Sequence, residues 1–370
     1  MIAVAVGAVA VAVAASVAVS GVGLLLAKRV VNAAAQPKLL QVEFSSREVT
    51  LPKSDKTIAA GEYLLHLTGG DTAVVRVGKV LRVGESTVHR ELVDDAGDRA
   101  GTATGYWSAH GFASPDEVGE YRSVQVPLAS GEYRDAWLFP GDPTHWVIHV
   151  QGIRTSRNVT LRTVAAARDA GATSLTISYR GSGDGPPTKA AMLGSEEWSE
   201  LRDAISYARE NGARHITVVA WSMGAGLAFE LLKRDPAAVD DLVLMCPVSS
   251  WPATIEYGAT KAGLPRQAAV LAGLILRSRF GARLLGLPAP LNVQQLVWTG
   301  PGALPVPTLV IHSPDDEVVP WSSTRELVEN NAHAVTLIET VACPHGFELT
   351  MPDPIASARL NDWLINKTMS

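Results

Sequence analysis

The rhythm of apolar and polar positions changes three times along this chain. Residues 1–27 carry no charged side chain, are rich in alanine and valine, and end at Lys28-Arg29. Residues 30 to about 117 then alternate with a two-residue period. Val42 and Phe44 stand between polar neighbours, and Tyr63–Leu67, Thr72–Val77 and Gly78–Val83 each read as a short strand, with glycines at 61, 69, 70, 78 and 84 between them. Such alternation broken by glycine predicts strands and turns. From about Tyr121 the pattern changes again. A hairpin is predicted from Val124–Pro127 and Arg134–Phe139 around Ser130-Gly131. Short apolar runs follow at Trp146–Val150, Ser174–Tyr179, Ile216–Ala220, Leu242–Cys246, Thr308–Ile311 and Val335–Glu339. Helical stretches separate them at Asn158–Ala170, Glu196–Asn211 and Gly224–Lys233, with a last one at Pro354–Ile365. In the second of these, Trp198, Leu201, Ile205 and Ala208 fall on one face.

Apolar strands alternating with helices predict an α/β fold with a mostly parallel central sheet and helices on both faces. Right-handed crossovers put the C-terminal ends of the strands on one edge, where ligands bind. Residues 247–303 interrupt the alternation with Trp251-Pro252, Gly263-Leu264-Pro265, a predicted helix over Arg266–Leu285, and Pro288 and Pro290. This insertion is a candidate helical cap. Its Val270, Leu271 and Leu274 either line a cleft or pack on the domain. The expected organisation is residues 1–29, a β-rich extension over 30–117, and an α/β domain over 118–370 with its cap at 247–303.

Composition narrows the function classes. The 32 Lys and Arg are scattered among 37 Asp and Glu, and the net charge of -5 argues against a nucleic-acid surface. Two cysteines, Cys246 and Cys343, exclude a disulfide scaffold and have no metal-ligand spacing. The uncharged N-terminal run is long enough to cross ~30 Å of hydrocarbon. With Lys28-Arg29 behind it, the run predicts a single-pass membrane anchor with the large domain inside. A cleaved signal sequence is the alternative, with Ala33-Ala34-Ala35 resembling its cleavage site and a secreted product.

The chemistry concentrates in three places. In Val218-Val219-Ala220-Trp221-Ser222-Met223-Gly224-Ala225-Gly226 an apolar strand runs into a serine and then into a helix. A serine on such a sharp turn is presented to substrate. A hydroxyl nucleophile needs a base, and the base needs an acid to fix its tautomer. The acid is expected after a later strand, in His312-Ser313-Pro314-Asp315-Asp316, where spacing from the strand end favours Asp316 over Asp315 and leaves His312 to support the loop. The base is expected last, at His345 in Cys343-Pro344-His345-Gly346. His149, inside a strand, reads as a core histidine, His333 as a connection residue and Cys343 as packing. Two N–H donors are expected for an oxyanion: the amides of Met223 and of Ile153, in the turn Gln151-Gly152-Ile153. The glycine-rich Tyr179–Gly185 lacks both the phosphate-loop ending and the dinucleotide spacing, and reads as a structural turn anchored by Arg180.

With these residues in place, residues ~121–368 resemble the α/β-hydrolase superfamily. More narrowly, His145–Gly152, Ser178-Tyr179-Arg180, Leu193–Trp198 and Trp221–Gly224 resemble membrane-anchored or exported actinobacterial hydrolases of unassigned substrate. The resemblance implies acyl transfer to water without a cofactor, with Ser222, Asp316 and His345 as nucleophile, acid and base. Ala220 and Ser313 stand where glycines are frequent, and Gln151 where histidine is. The expected substrate is a small ester or lipid-like molecule. Peptidase, acyltransferase and thioesterase activities share the same machinery, and a non-catalytic membrane-tethered binding module is the alternative from another class.

Overall fold

The computed structural model describes residues 21–32, 37–68, 73–93, 99–109 and 111–368. Its N-terminal β region is a closed barrel of six antiparallel strands. These are β1 (Leu39–Ser46), β2 (Glu48–Pro52), β3 (Tyr63–Thr68), β4 (Val74–Val83), β5 (Thr87–Leu92) and β6 (Arg99–Ser108), ordered β1-β2-β5-β4-β3-β6. Alternation sends Val42, Phe44, Leu65, Val75, Val88 and Leu92 inward to a small core of their own. Closure leaves no exposed sheet edge. Two of the predicted strands, split at Gly78, are a single strand, β4. Its pairing with β5 shifts register between Val77 and Val80, so an irregularity absorbs the glycine without ending the strand.

The second sheet has eight strands: β7 (Arg122–Pro127), β8 (Tyr133–Phe139), β9 (Asp142–Val150), β10 (Ala172–Ile177), β11 (His215–Trp221), β12 (Asp241–Met245), β13 (Thr308–His312) and β14 (Val335–Glu339). Their order is β14-β13-β12-β11-β9-β10-β8-β7. β7 and β8 form the predicted antiparallel hairpin, β8 runs antiparallel to β10, and every other neighbouring pair is parallel. This is an α/β-hydrolase fold with a β-barrel extension at its N-terminus. The central strands are buried along nearly their whole length, with only His215 at the start of β11 partly exposed, as expected of strands covered on both faces.

The helices are α1 (described over residues 21–31), α2 (Asp55–Ile58), α3 (Leu161–Asp169), α4 (Trp198–Glu210), α5 (Gly224–Leu232), α6 (Trp251–Lys261), α7 (Arg266–Arg277), α8 (Arg279–Leu285), α9 (Trp321–Asn330) and α10 (Pro354–Thr368). The predicted helix over 266–285 is two helices. Ser278 is extended (φ -83, ψ 144), ends α7, and caps α8 by accepting the Gly281 amide at 2.8 Å. Trp251-Pro252 opens α6 instead of breaking it: proline sits in the first turn, where its missing N–H costs nothing, and Ser250 caps the helix.

The expected membrane anchor is corrected here, and with it the membrane partner, the single-pass localisation and the narrower likeness to membrane-anchored enzymes. Among the described residues, no helix is long and apolar enough to cross a membrane. Residues 1–20 and the cleavage-site candidate 33–36 lie outside the described residues. Where the N-terminal segment is described, its apolar face is used inside the protein. Ala27 and Val31 of α1 are buried in the main core, the Val31 carbonyl accepts the Ala191 amide at 2.7 Å, and Gly23 lies against Leu271 of α7. An uncharged Ala/Val-rich run has the same composition whether it faces lipid or a protein core.

All of α5 is buried, its one charged residue, Glu230, included; that carboxylate accepts the Trp298 indole N–H at 3.0 Å. Phe229 of α5 stacks on Trp298 at 5.3 Å. Phe229→Ala is expected to cost about 3–5 kcal/mol. A urea titration followed by tryptophan fluorescence checks this, and an unchanged midpoint would contradict the packing described.

Candidate active site

Three loops at the C-terminal edge of the sheet converge. At the end of β11 the chain turns so sharply that Ser222 takes the left-handed conformation (φ 52), which is strained for any residue with a Cβ. The Ser222 amide donates to the Met245 carbonyl of β12 at 2.9 Å, and its carbonyl accepts the Val248 amide at 3.1 Å. α5 starts two residues later, against β9. A Cβ on Gly224 would lie 2.7 Å from the Val150 carbonyl oxygen, so only glycine fits there.

His345 comes from the loop after β14. Its Nε2 lies 2.9 Å from Ser222 Oγ, and its Nδ1 lies 2.6 Å from Asp316 Oδ2. Asp316 sits in the loop after β13, almost wholly buried. Oδ1 accepts the amides of Val318 and Val319 at 2.7 and 2.8 Å. Oδ2 also accepts from His312 Nε2 at 2.9 Å, and His312 Nδ1 takes the Thr324 hydroxyl at 2.8 Å. Burial alone would raise the Asp316 pKa. The charge and hydrogen bonds of His345 and His312 overcome it and hold the carboxyl well below the usual carboxylate range. In return, burial pushes His345 down, but the Asp316 carboxylate more than offsets it and the imidazole ends above its ordinary value. Tyr257 of α6 donates to the Asp316 carbonyl at 2.9 Å, so the inserted helices brace the acid loop.

The two expected amide donors are each next in sequence to a residue at the site, Met223 to Ser222 and Ile153 to Gly152. Met223 follows Ser222 at the head of α5. Gly152, next to Ile153, faces Ser222 so closely that a Cβ there would lie 3.2 Å from the serine Cβ. The Tyr179 hydroxyl donates to the carbonyls of Gln151 and Gly152, at 3.1 and 2.9 Å. In a trans peptide the Ile153 N–H points opposite to the Gly152 carbonyl, hence away from Tyr179. The glycine-rich Tyr179–Gly185 turn is tied down by charge: Arg180 to Glu200 at 2.5 Å, and Arg157 to Asp184 at 2.7 Å.

The remaining candidates are absorbed by structure. His149 is fully buried between Thr163 and Ser174, and burial pushes it down to about 3, so it stays neutral. Burial pushes the Cys343 thiol up to about 12. Asp315 is exposed and takes no part in the chain from Ser222. Cys246, Asp316 and His345 bring potential metal-ligand atoms within 4.8 Å of one another. His345 and Asp316 already bind each other, however, and burial holds the Cys246 thiol far above its usual value.

Sequence reasoning missed two neighbours of His345. Glu317 accepts the His345 amide at 2.8 Å; its only sequence signal is adjacency to Asp316. Glu348 is fully buried beside Cys246, with neither carboxylate oxygen hydrogen-bonded in good geometry. Burial pushes it up to about 8.

Comparison with known proteins agrees with this architecture. Residues 145–263 match a family described as "alpha/beta hydrolase fold", and residues 38–108, the barrel, match a "Domain of unknown function (DUF8805)". The chain is 25% identical to the human protein ABHD12B over 266 residues, 65% of this chain and 67% of that protein. The solved structure of the Pyrococcus furiosus esterase Pf2001 is similar in fold, with a TM-score of 0.53 at 20% identity over 69% of this chain and 94% of that one. These matches support a hydrolase-type enzyme.

Glu348 yields a stability prediction. Its folded pKa, about 8, lies above the ordinary 4.5, so the folded state holds a proton that the unfolded state releases. The stability this provides is complete below pH 4.5 and is lost as pH rises through 8. Glu348→Gln, which cannot ionise, is expected to flatten that decline. Melting temperatures of the two proteins from pH 5 to 9 check it, and parallel curves would contradict it.

Proposed function

We propose that this protein is a serine hydrolase that cleaves carboxylic esters through an acyl-enzyme on Ser222. One observation carries the reading: the unbroken hydrogen-bond path from Ser222 Oγ through His345 to the buried carboxylate of Asp316. The hydrolase fold and a fold relative named as an esterase support it.

In the first half-reaction, Ser222 Oγ bonds to the ester carbonyl carbon as its proton passes to His345 Nε2. Asp316 holds Nδ1–H and stabilises the imidazolium. The amides of Met223 and Ile153 donate to the tetrahedral oxyanion, each worth about 3 kcal/mol in the transition state, and α5 adds its positive N-terminal end. The C–O bond to the leaving group breaks as His345 returns its proton to the departing alcohol. A water then gives its proton to His345 and attacks the acyl carbon. The bond from the acyl carbon to Ser222 Oγ breaks as His345 returns that proton to Oγ, the carboxylic acid leaves, and Ser222 is regenerated. An apolar acyl or alcohol group is the preferred substrate. Thioesters and acceptor alcohols enter through the same acyl-enzyme, so partition between water and an added alcohol separates hydrolysis from transfer.

Turnover of an activated short-chain ester by the full chain tests the reading. Ser222→Ala is expected to fall to background while remaining folded by circular dichroism. Asp316→Asn is expected to lose on the order of 10⁴-fold in kcat. Neutral His345 is the active form, so activity falls as pH drops through its pKa. The Asp316 charge raises that pKa, so the acid limb of kcat/KM is expected to move to lower pH in Asp316→Asn. Wild-type turnover by folded Ser222→Ala would end the assignment.

A further inference from the structure

The barrel touches the hydrolase domain at the loop that carries His345. Tyr63 at the start of β3 packs on Phe347 with ring centres 5.3 Å apart, and Ala59, Tyr63, Cys343 and Phe347 share one small buried cluster. The Thr350 hydroxyl donates to the Ala109 carbonyl at 2.7 Å, just past β6. Nearer the reacting atoms, Lys56 of α2 places its ammonium 3.1 Å from Glu317 Oε1, while Glu317 Oε2 accepts the backbone amide of His345 at 2.8 Å. One carboxylate thus joins the barrel to the residue that holds Ser222.

The position of Lys56 is set from inside the barrel. In β5 the alternation that buries Val88 and Leu92 also buries Arg90, a charged residue at an inward position. The Arg90 guanidinium uses all five of its N–H donors. Nε and Nη2 go to the Gly78 carbonyl at 2.8 and 2.6 Å, Nη1 to those of Thr57 and Ala59 at 2.9 and 2.8 Å, and Nη2 to that of Gly61 at 2.7 Å. Its cation also lies over the rings of Tyr63 and Trp107, at 4.9 and 5.3 Å. A buried charge bonded to three carbonyls of one five-residue stretch fixes that stretch, and α2 with it.

We infer that the N-terminal barrel is a positioning module for His345: Arg90 fixes the 57–61 segment at the mouth of the barrel, and Lys56 and Glu317 carry that constraint to the His345 loop. The inference rests on His345 being the general base. Lys56 and Glu317 are positioning residues and do not touch the reacting atoms.

The pair also bears on the charge of His345. Asp316 and Glu317 face the imidazole from the loop after β13, Ser222 from the elbow, Cys246 from the end of β12, and Glu348 from its own loop; His312 acts through Asp316, and Lys56 through Glu317. Glu317 raises the His345 pKa, and Lys56 counters Glu317. The two substitutions therefore move the acid limb of kcat/KM in opposite directions, which a purely structural contact would not do.

The experiment uses the full chain with an activated ester. Lys56→Met and Glu317→Gln are each expected to lower kcat roughly two- to five-fold with KM changed less than about twofold, the scale of a half-exposed ion pair. The acid limb is expected to rise in Lys56→Met and fall in Glu317→Gln. Lys56→Arg is expected to restore both, and the double variant to lose less than the product of the single losses. For the interior link, Arg90→Lys has three donors where five are needed. It is expected to speed amide hydrogen exchange in residues 343–351 without speeding it in the central strands. Unchanged kcat and acid limb in both single variants would overturn the coupling, and unchanged exchange in Arg90→Lys would overturn the role of Arg90. If Arg90→Lys does not fold, the Lys56 and Glu317 variants still decide the coupling. Loss of activity in Ser222→Ala alongside inert Lys56 and Glu317 variants would refute this inference and leave the hydrolase reading standing.

Discussion

A single buried carboxylate organises the candidate site. Asp316 has lost nearly all contact with water, which by itself would neutralise it. It stays ionised because four N–H groups point at it: two imidazoles on one oxygen and two backbone amides on the other. Those donors come from three stretches of chain. The Val318 and Val319 amides require the tight turn after β13, His312 requires the end of that strand and the Thr324 hydroxyl of α9, and His345 requires the loop beyond β14. An ionised carboxylate at this point therefore fixes the tautomer and direction of His345 and brings its Nε2 to the Ser222 hydroxyl. His312, which accepts from Thr324, donates to the carboxylate and adds a second support.

The sequence revealed the sheet because its strands are buried on both faces and read as short, mostly apolar runs. The strand-to-helix turn at Ser222 was legible for a local reason: the backbone there must take a positive φ and let a helix pass within van der Waals reach of β9. His345 was reached through its order in the chain and the shape of its loop. The contacts that were not legible depend on residues far apart in sequence. Nothing around Lys56 points to Glu317, and nothing around Glu348 indicates that it will be enclosed beside Cys246. Arg90 stands in an otherwise regular strand alternation, so its place inside the barrel follows only once the register is known. The apolar N-terminus misled because composition records how greasy a segment is and not what covers it. In the described part, Ala27 and Val31 are covered by the protein itself.

The architecture divides the work between two sheets. The eight-stranded sheet supplies the loops, and positive φ falls at Ser222 after β11 and at Cys246 just past β12, as it does at Arg154 and Leu193 in other loops of the same domain. The barrel adds no side chain to the hydrogen-bond path from Ser222 to Asp316. It meets the hydrolase domain at the loop whose imidazole lies 2.9 Å from the Ser222 hydroxyl, within the reach that proton transfer demands. A loop held from two sides loses less freedom when the reaction requires it in one place. α6 braces the Asp316 loop in the same way through Tyr257, so the Asp316 and His345 loops each have a contact from outside the sheet that carries them.

The most direct measurement of the central claim is covalent. The full-length protein is treated with a fluorophosphonate, and the adduct is located by peptide mass spectrometry. One equivalent on Ser222, with labelling slowed strongly in His345→Ala, is the result this account predicts. An unlabelled Ser222 in folded protein, or labelling equally fast without the imidazole, would contradict it.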